Sequence, residues 1–315
     1  MKRIRIRFVD YARNDNPKNG LAYRLISKYF EVDDCGAADY AICFGQGLSH
    51  VQYDSCVKIL MQGENSTPNF NDYDYAVGYD HLDFGDRYLR MPLYPFWRKP
   101  FLMLDKRRLE NPEALLRRKF CSFVVSNANF GDPMRLKFFE RLSKYKKVDS
   151  GGRWMNNVGG PVKDKLEFCK GYKFNIAFEN SSFPGYVTEK VMEAYAAQTV
   201  PIYYGDPTVE TDFLPESMVC VRNEADIDRA VDEVVALDED DDAYLKKVTA
   251  PCLAYDDPKM YEKRLEAFLV HIFDQPLEAA RRRCFYGHQQ MMRQHMRKVL
   301  TVDQWLCDLR GKLRI

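Results

Sequence analysis

Short strand-like apolar runs alternate with helical patterns along most of this 315-residue chain. Such alternation predicts βαβ units, in which helices join parallel strands and cover the sheet. Each strand candidate is followed by glycine or polar residues, as expected where strands end at the exposed edge of a parallel sheet. The alternation is interrupted over residues 98–119, where basic residues accumulate beside Pro100 and Pro112. We therefore expect an α/β fold of two Rossmann-like lobes that face each other across a cleft.

The predicted elements divide the chain into three parts. The first strand begins near the N-terminus, where Ile4, Ile6 and Phe8 recur at the strand period of two. The other strand candidates are Tyr40–Phe44, Val57–Met61, 120–125, 174–178, Val200–Tyr204 and 218–221, and helices are predicted over 21–30, 133–145, 187–197 and 227–237. These elements predict an N-terminal lobe over residues 1–116, a C-terminal lobe over 117–280 and a helical basic tail over 281–315.

Charge and composition exclude several classes of protein. The chain carries 47 basic and 46 acidic residues, a net charge of +1, which argues against a dedicated nucleic-acid binder. With 46% apolar residues it is too hydrophobic for an intrinsically disordered protein. No apolar run approaches the length of about 20 residues that a transmembrane helix needs. The N-terminus alternates basic and apolar residues, unlike a signal peptide. Nine scattered cysteines indicate free thiols, so we expect a cytoplasmic protein.

Patterns that could indicate a cofactor are weak. Residues 45–50 begin like a dinucleotide-binding loop, but His50 takes the place of the third glycine. Residues 238–242 contain the Asp-x-Asp of metal-dependent transferases, although five consecutive acids after a helix are more typical of a solvated loop. The five histidines lack the spacing of metal ligands. We therefore expect no metal site and no required cofactor.

The densest polar feature lies between the strand candidates that end near residues 180 and 205. Thr188 is a candidate N-cap, whose hydroxyl can accept from the first backbone amides of the helix that it opens. A helix N-terminus binds anions, and Lys190 adds a full positive charge beside it. This placement favours a pyrophosphate at the carboxyl end of a parallel sheet. The alternative is an ordinary capped helix with a surface Glu-Lys pair.

Several separated segments carry a family resemblance, and they occur in a fixed order. They are residues 63–70 (GENSTPNF), 86–94 (DRYLRMPLY), 123–127 (FVVSN), 178–181 (FENS), 186–190 (YVTEK) and 200–205 (VPIYYG). Together with Arg135 they resemble glycosyltransferase family 10, the α1,3/4-fucosyltransferases, and the soluble bacterial members in particular. A set of ordered motifs is much more specific than one short glycine pattern.

The resemblance implies the two-lobed GT-B fold and an inverting transfer of L-fucose from GDP-fucose to an acceptor hydroxyl. The implied acceptor is a glycan such as N-acetyllactosamine, with O3 of N-acetylglucosamine or glucose as the target and no metal required. Two other functions stay open. One is a catalytically silent glycan- or nucleotide-sugar-binding protein of the same fold. The other is a different nucleotide-using enzyme such as a dehydrogenase, against which His50 argues.

The resemblance also assigns residues to roles. Glu64 matches the proposed general base, and the alternative is a carboxylate that caps a turn. Arg135 and Lys190 match contacts to the donor diphosphate, which a guanidinium and an ammonium suit chemically. The alternative for Arg135 is a solvated helix residue. Asn180, Tyr186 and Glu189 match contacts to the fucose or the ribose, and the alternative is that each is a structural polar residue in a tight loop. Ser126 and Thr188 are further donor-binding candidates.

The tail carries nine basic residues between Arg281 and the C-terminus, against two acidic ones. One interpretation is a final helix that packs back on the body, with Met291, Met292, Met296 and Trp305 facing inward. The other is a basic amphipathic segment that contacts the inner membrane peripherally through anionic lipids.

Overall fold

The computed structural model of the chain describes residues 1–11, 16–45, 47–105, 111–126, 131–284 and 286–313. They form two compact units. The first unit comprises residues 1–91 and those from 259 onward, and the second comprises residues 92–258. This division differs from the predicted boundaries at 116 and 280. The basic segment over residues 98–119 belongs to the second unit and contains helices. The chain returns to the first unit after residue 258.

The first unit contains six parallel strands. They are β1 (Lys2–Val9), β2 (Phe30–Asp33), β3 (Tyr40–Phe44), β4 (Val57–Met61), β5 (Tyr75–Gly78) and β6 (Tyr88–Arg90), and α1 (Leu21–Ile26) joins β1 to β2. The sheet order is β2-β1-β3-β4-β5-β6. Every residue of β4 and β5 is buried, as is typical of parallel strands covered on both faces.

The predicted helix over residues 21–30 is too long. It ends at Ile26, and Phe30 begins β2 instead. The Phe30 ring packs against Phe273 with 5.7 Å between ring centroids. No local pattern indicates this contact, because Phe273 lies 243 residues further along the chain.

The second unit contains a five-stranded parallel sheet between layers of helices. In chain order its elements are α2 (Arg98–Asp105), α3 (Pro112–Leu116), β7 (Lys119–Phe123), α4 (Met134–Ser143), β8 (Val148–Ser150), α5 (Lys165–Cys169), β9 (Tyr172–Phe178), α6 (Glu189–Ala196), β10 (Val200–Tyr204), β11 (Val219–Cys220), α7 (Ile227–Glu239) and α8 (Asp241–Thr249). The sheet order is β11-β10-β9-β7-β8. Buried side chains of α4, α7 and α8 share one hydrophobic core with the strands. Helix α6 packs on β9 and β10 and against α2.

The two sheets share one topology. Counted from its own first strand, each runs 2-1-3-4-5, and the first sheet adds a sixth strand. The strand order therefore reverses between β1 and β3 in the first unit, and between β7 and β9 in the second. Open α/β sheets bind ligands outside the carboxyl ends of their strands at such a reversal. In the second unit this rule points to the residues that follow β7 and β9.

The chain returns to the first unit with α9 (Met260–Asp274), α10 (Leu277–Ala280) and α11 (His288–Leu313). Between α10 and α11, Arg283 is buried and its Nε donates to Asp74 Oδ2 at 2.7 Å. The other oxygen of Asp74 accepts from the backbone amides of Arg282 and Arg283 at 2.8 and 2.9 Å. This buried carboxylate fixes the returning segment at the amino end of β5.

Helix α11 contacts the rest of the first unit through arginines. Arg293 is buried, and Arg297 pairs with Asp54 at 2.9 Å. The predicted inward packing is wrong for Met291, Met292 and Trp305, which are 64%, 60% and 60% exposed. Asp54 and Asp72 of the first unit pair with the basic side of this helix. In the described part of the chain, no helix is both long and apolar enough to cross a membrane.

Candidate functional site

Glu179 is the centre of the candidate site in the second unit. It follows β9 directly, where the strand order reverses, and its backbone amide donates to the Tyr204 carbonyl at 2.8 Å. The side chain is completely buried. One carboxylate oxygen accepts from the Thr188 amide at 2.8 Å, and the other accepts from the Thr188 hydroxyl at 2.6 Å. Glu179 therefore binds the N-cap residue of α6 through both carboxylate oxygens and fixes where this helix begins.

Thr188 occupies the N-cap position as predicted, but its hydroxyl has a different role. It donates to Glu179 and does not cap a backbone amide of α6. The same oxygen accepts from Lys190 Nζ at 2.8 Å. The predicted capping bond is therefore wrong, because the hydroxyl proton points to Glu179 and the oxygen accepts from Lys190 in place of a backbone amide.

Lys190 forms a three-charge cluster with two carboxylates. Its Nζ lies 3.0 Å from Glu179 Oε2 and 3.1 Å from Glu189 Oε1. Burial alone would lower the pKa of Lys190, but the two carboxylates outweigh it and raise the pKa above the ordinary value. Burial alone would raise the pKa of Glu189, but Lys190 and Lys165 outweigh it and lower the pKa. Glu189 and Lys190 are thus both charged at neutral pH.

Arg135 lies in the first turn of α4 and is 3% exposed. The alternative that it is a solvated helix residue is therefore wrong. Its Nη2 donates to the Phe178 carbonyl at 2.8 Å and to Asn180 Oδ1 at 2.7 Å. Burial lowers the pKa of this guanidinium, although arginine stays protonated in proteins. Its Nε is also buried and has no hydrogen-bond partner within the described residues.

Asp132 braces the residues around Arg135. Its amide donates to the Asn180 carbonyl at 2.8 Å, and one carboxylate oxygen accepts from the Met134 amide at 2.9 Å. The other oxygen accepts from the Tyr204 hydroxyl at 2.6 Å. Burial and this hydrogen bond raise the pKa of Tyr204 to about 12. Asp132 thereby connects the ends of β9 and β10 to the start of α4.

Consecutive residues at the end of β9 thus hold both cations of the site. Glu179 contacts Lys190, and Asn180 contacts Arg135. Tyr186 is buried two residues before Thr188. The loop before it is attached to the segment that follows β10, because the Gly185 amide donates to Asp206 Oδ1 at 2.7 Å.

The remaining candidates are exposed. Ser126 is exposed beyond the end of β7, and Asn127 of the same motif lies outside the described residues. In the first unit, Glu64 is exposed beyond the carboxyl end of β4. Its carboxylate makes no hydrogen bond or ion pair to any other described residue, which argues against the turn-capping alternative.

Acidic clusters do not form a metal site in the described ranges. No three His, Cys, Asp or Glu side chains come together there as ligands. The predicted solvated loop over residues 238–242 is wrong. Asp238 and Glu239 end α7, and Asp240 caps α8 by accepting from the Ala243 amide at 3.0 Å.

Gly205 lets Glu179 take its position. A Cβ added at Gly205 would lie 2.4 Å from Cγ of Glu179. We expect Gly205→Ala to lower the free energy of unfolding by about 1–3 kcal/mol, because overpacking would displace this buried carboxylate. Urea unfolding measures the loss. Gly171→Ala is the control, because its nearest new contact is an ordinary 3.4 Å. Equal stability of both variants would show that the close approach does not matter.

Comparison with known proteins supports one family across both units. Two family models match in succession: "Alpha-(1,3)-fucosyltransferase FucT N-terminal domain" over residues 6–97, and "Glycosyltransferase family 10 (fucosyltransferase) C-term" over residues 115–248. A crystal structure of an α1,3-fucosyltransferase is 31% identical with a TM-score of 0.76, covering 87% of this chain and 91% of that one. The chain belongs to glycosyltransferase family 10. It has the two-lobe α/β fold of the GT-B type, as predicted.

The family 10 chain is similar to fucosyltransferases of several sources, and it covers a different share of each. Alpha-(1,3)-fucosyltransferase FucT of Helicobacter pylori is 35% identical over 265 residues, which is 72% of this chain and 55% of the relative. A 3-galactosyl-N-acetylglucosaminide 4-alpha-L-fucosyltransferase of Bos taurus is 32% identical over 152 residues, 47% of this chain and 40% of the relative. A crystal structure of an α1,3-fucosyltransferase with GDP-fucose is 31% identical with a TM-score of 0.73, covering 87% of this chain and 92% of that one. The matched part of the chain thus spans 55% of the first of these curated relatives and 40% of the second.

In this family 10 chain, most predicted donor residues lie together. Those around the end of β9 are Arg135, Asn180, Thr188, Glu189 and Lys190. Their roles stay predictions, as do those of Tyr186, Ser126 and Glu64. The predicted set omitted Glu179 and Asp132, which organise the site. Glu179 could have been found from the sequence, because it is a carboxylate directly after an apolar strand.

Proposed function

We propose that this family 10 chain transfers L-fucose from GDP-fucose to a glycan hydroxyl with inversion. We further propose O3 of N-acetylglucosamine or glucose, in an acceptor such as N-acetyllactosamine, as the target. The observation that carries the proposal is the end of β9, where Glu179 and Asn180 hold Lys190 and Arg135. Two fixed cations beside a helix N-terminus suit a diphosphate leaving group.

The donor diphosphate must enter an already occupied charge cluster. An ammonium has three donors, and those of Lys190 face the Thr188 hydroxyl, Glu179 and Glu189. A phosphate oxygen therefore has to replace one of these acceptors. Glu189 is the one that yields, because its side chain is 23% exposed whereas that of Glu179 is fully buried. The unpartnered Nε of Arg135 adds a second donor.

Glu64 is proposed as the general base. Its carboxylate is exposed and makes no competing bond within the described part of the first unit. In a single displacement, the acceptor oxygen bonds to C1 of fucose as the bond from C1 to the diphosphate oxygen breaks. The hydroxyl proton moves to Glu64, and GDP leaves with the bonding electrons. Inversion follows because one attack occurs on the face opposite the leaving group.

The test is a transfer assay with GDP-fucose and two acceptors. N-acetyllactosamine should yield one α-linked fucose per GDP released, with linkage and anomeric configuration read by NMR. The matched 3-deoxy acceptor should yield no product. GDP-fucose binding without GDP release on any glycan would contradict transfer and support the alternative, a catalytically silent nucleotide-sugar-binding protein.

Independence from metal and cofactors remains part of the proposal. Arg135 and Lys190 supply the positive charge that a divalent cation supplies in other transferases. Undiminished transfer in EDTA would support this proposal, and loss of activity restored by Mg²⁺ or Mn²⁺ would contradict it. We propose no nucleic-acid partner, since the net charge is +1.

For location we propose the cytoplasm with a peripheral membrane contact. Eight cysteines in the described residues are free thiols, as in a reducing compartment. Arg293 and Arg297 of α11 pair with aspartates of the first unit, but Lys298, Met291, Met292 and Trp305 are exposed. One cation beside apolar side chains favours contact with an anionic lipid surface. Cosedimentation with anionic but not neutral vesicles would support the contact, and equal recovery with both would contradict it.

A further inference from the structure

The loop that carries Glu64 is attached to the sheet of the first unit just after this residue. The Tyr79 hydroxyl donates to Asn65 Oδ1 at 2.7 Å. Gln62 Nε2 donates to the Ser66 carbonyl at 2.6 Å. Ser66 also closes a tight turn, because its amide donates to the Glu64 carbonyl at 2.7 Å.

The third attachment joins Thr67 to Asp80. The Thr67 hydroxyl donates to Asp80 Oδ1 at 2.8 Å, so three successive residues after Glu64 are held by side chains from the ends of β4 and β5. Asp80 is 7% exposed, and its own carbonyl accepts from the Tyr88 hydroxyl at 2.9 Å. Thr67 itself is exposed. The loop is therefore bound to Asp80, a buried residue that Tyr88 holds in turn.

Glu64 differs from the three residues that follow it, because no side chain of the described residues binds it. Its carboxylate has no partner in the described chain, while the backbone on its C-terminal side is fixed. A base held by its backbone, with a free carboxylate, can meet an acceptor hydroxyl without first losing loop entropy or breaking a bond. The carboxylate of Asp80 contacts the loop through Thr67 alone, since its second oxygen is buried and unpartnered within the described residues.

We propose that Asp80 is a positioning residue that holds the Glu64 loop in its reactive position through the Thr67 hydroxyl. The inference rests on the proposed fucosyl transfer. It predicts that loss of this one bond lowers turnover and leaves the donor site in the other unit unchanged. Burial raises the pKa of Asp80, but hydrogen-bond acceptance at Oδ1 does not need the charged form.

The test compares Thr67→Val with Thr67→Ser in transfer from GDP-fucose to N-acetyllactosamine. Valine keeps the shape and removes the hydroxyl, so kcat should fall about 10- to 100-fold, the range expected from a misplaced catalytic group. The KM for GDP-fucose and the Kd for GDP should not change. Serine keeps the donor and should recover most of the lost kcat. Thr301→Val removes a comparable exposed bond, from Thr301 to the Arg297 carbonyl at 2.9 Å, and should behave as wild type.

The possible outcomes separate this inference from the proposed function. An inactive wild-type protein would refute the proposed transfer. An active wild type with unchanged kcat in Thr67→Val would overturn the role of Asp80 alone. Equal losses in Thr67→Val and Thr67→Ser, or a matching loss of GDP affinity, would also overturn it. Thr67 is exposed, so we expect every variant to fold, and thermal melting checks this.

Discussion

Replacement of Glu64 by Gln is expected to lower kcat by about 10²–10⁴-fold, the contribution of a general base. An amide has almost the same shape as the carboxylate but cannot take the acceptor proton at neutral pH. GDP binding should survive, because the proposed diphosphate contacts belong to the second unit. Steady-state transfer measures kcat, and isothermal calorimetry measures the Kd for GDP.

Glu31→Gln is the matched control for this experiment. Glu31 is an exposed carboxylate of β2 in the same unit and has no proposed role, so its variant should retain kcat. If Glu64→Gln transfers fucose at the wild-type rate, Glu64 is not the base. If it loses GDP affinity in proportion to kcat, its effect is on donor binding and not on proton transfer.

The strands were predictable where one physical signal dominates. Tyr40–Phe44, Val57–Met61 and Val200–Tyr204 have the predicted bounds, because a parallel strand buried on both faces is a nearly continuous apolar run. The exception within these runs is Lys58, which is buried. Short strands such as β6 and β8 were missed, since three residues hold too little periodicity. The unit boundary depends on contacts such as Asp74 with Arg283, 209 residues apart, and no local pattern reports them.

The site was predictable in its residue types but not in its connections. The helix N-terminus and Lys190 indicated an anion site. The sequence did not show that a buried carboxylate, Glu179, already neutralises this lysine. Nor did it show that Arg135 is ordered by Asn180, 45 residues later in the chain. Motifs report which groups are present, whereas burial and pairing decide which of them are free to bind.

Replacement of Lys190 by Met should affect stability and donor binding at once. It leaves Glu179 fully buried without a cation, and breaking a buried pair in this way costs about 3–5 kcal/mol. Loss of a charged hydrogen bond to phosphate, worth about 1.5–3 kcal/mol, should weaken GDP binding about 10- to 100-fold. Urea unfolding and calorimetry measure the two effects. Lys170→Met, at a partly exposed pair with Glu167, should change neither by much.

The double variant Glu179→Gln with Lys190→Met separates the two effects. It removes both buried charges, and the new amide can still accept from the Thr188 backbone while donating to the Thr188 hydroxyl, which Lys190 no longer contacts. Stability should therefore recover most of the loss, because the fully buried charge is gone and the remaining carboxylate, Glu189, is partly exposed to water. GDP affinity should stay as weak as in Lys190→Met, since the cation is still absent. If affinity recovered together with stability, Lys190 would only maintain the fold, and the diphosphate would have to be bound by Arg135 and the amides of α6 alone.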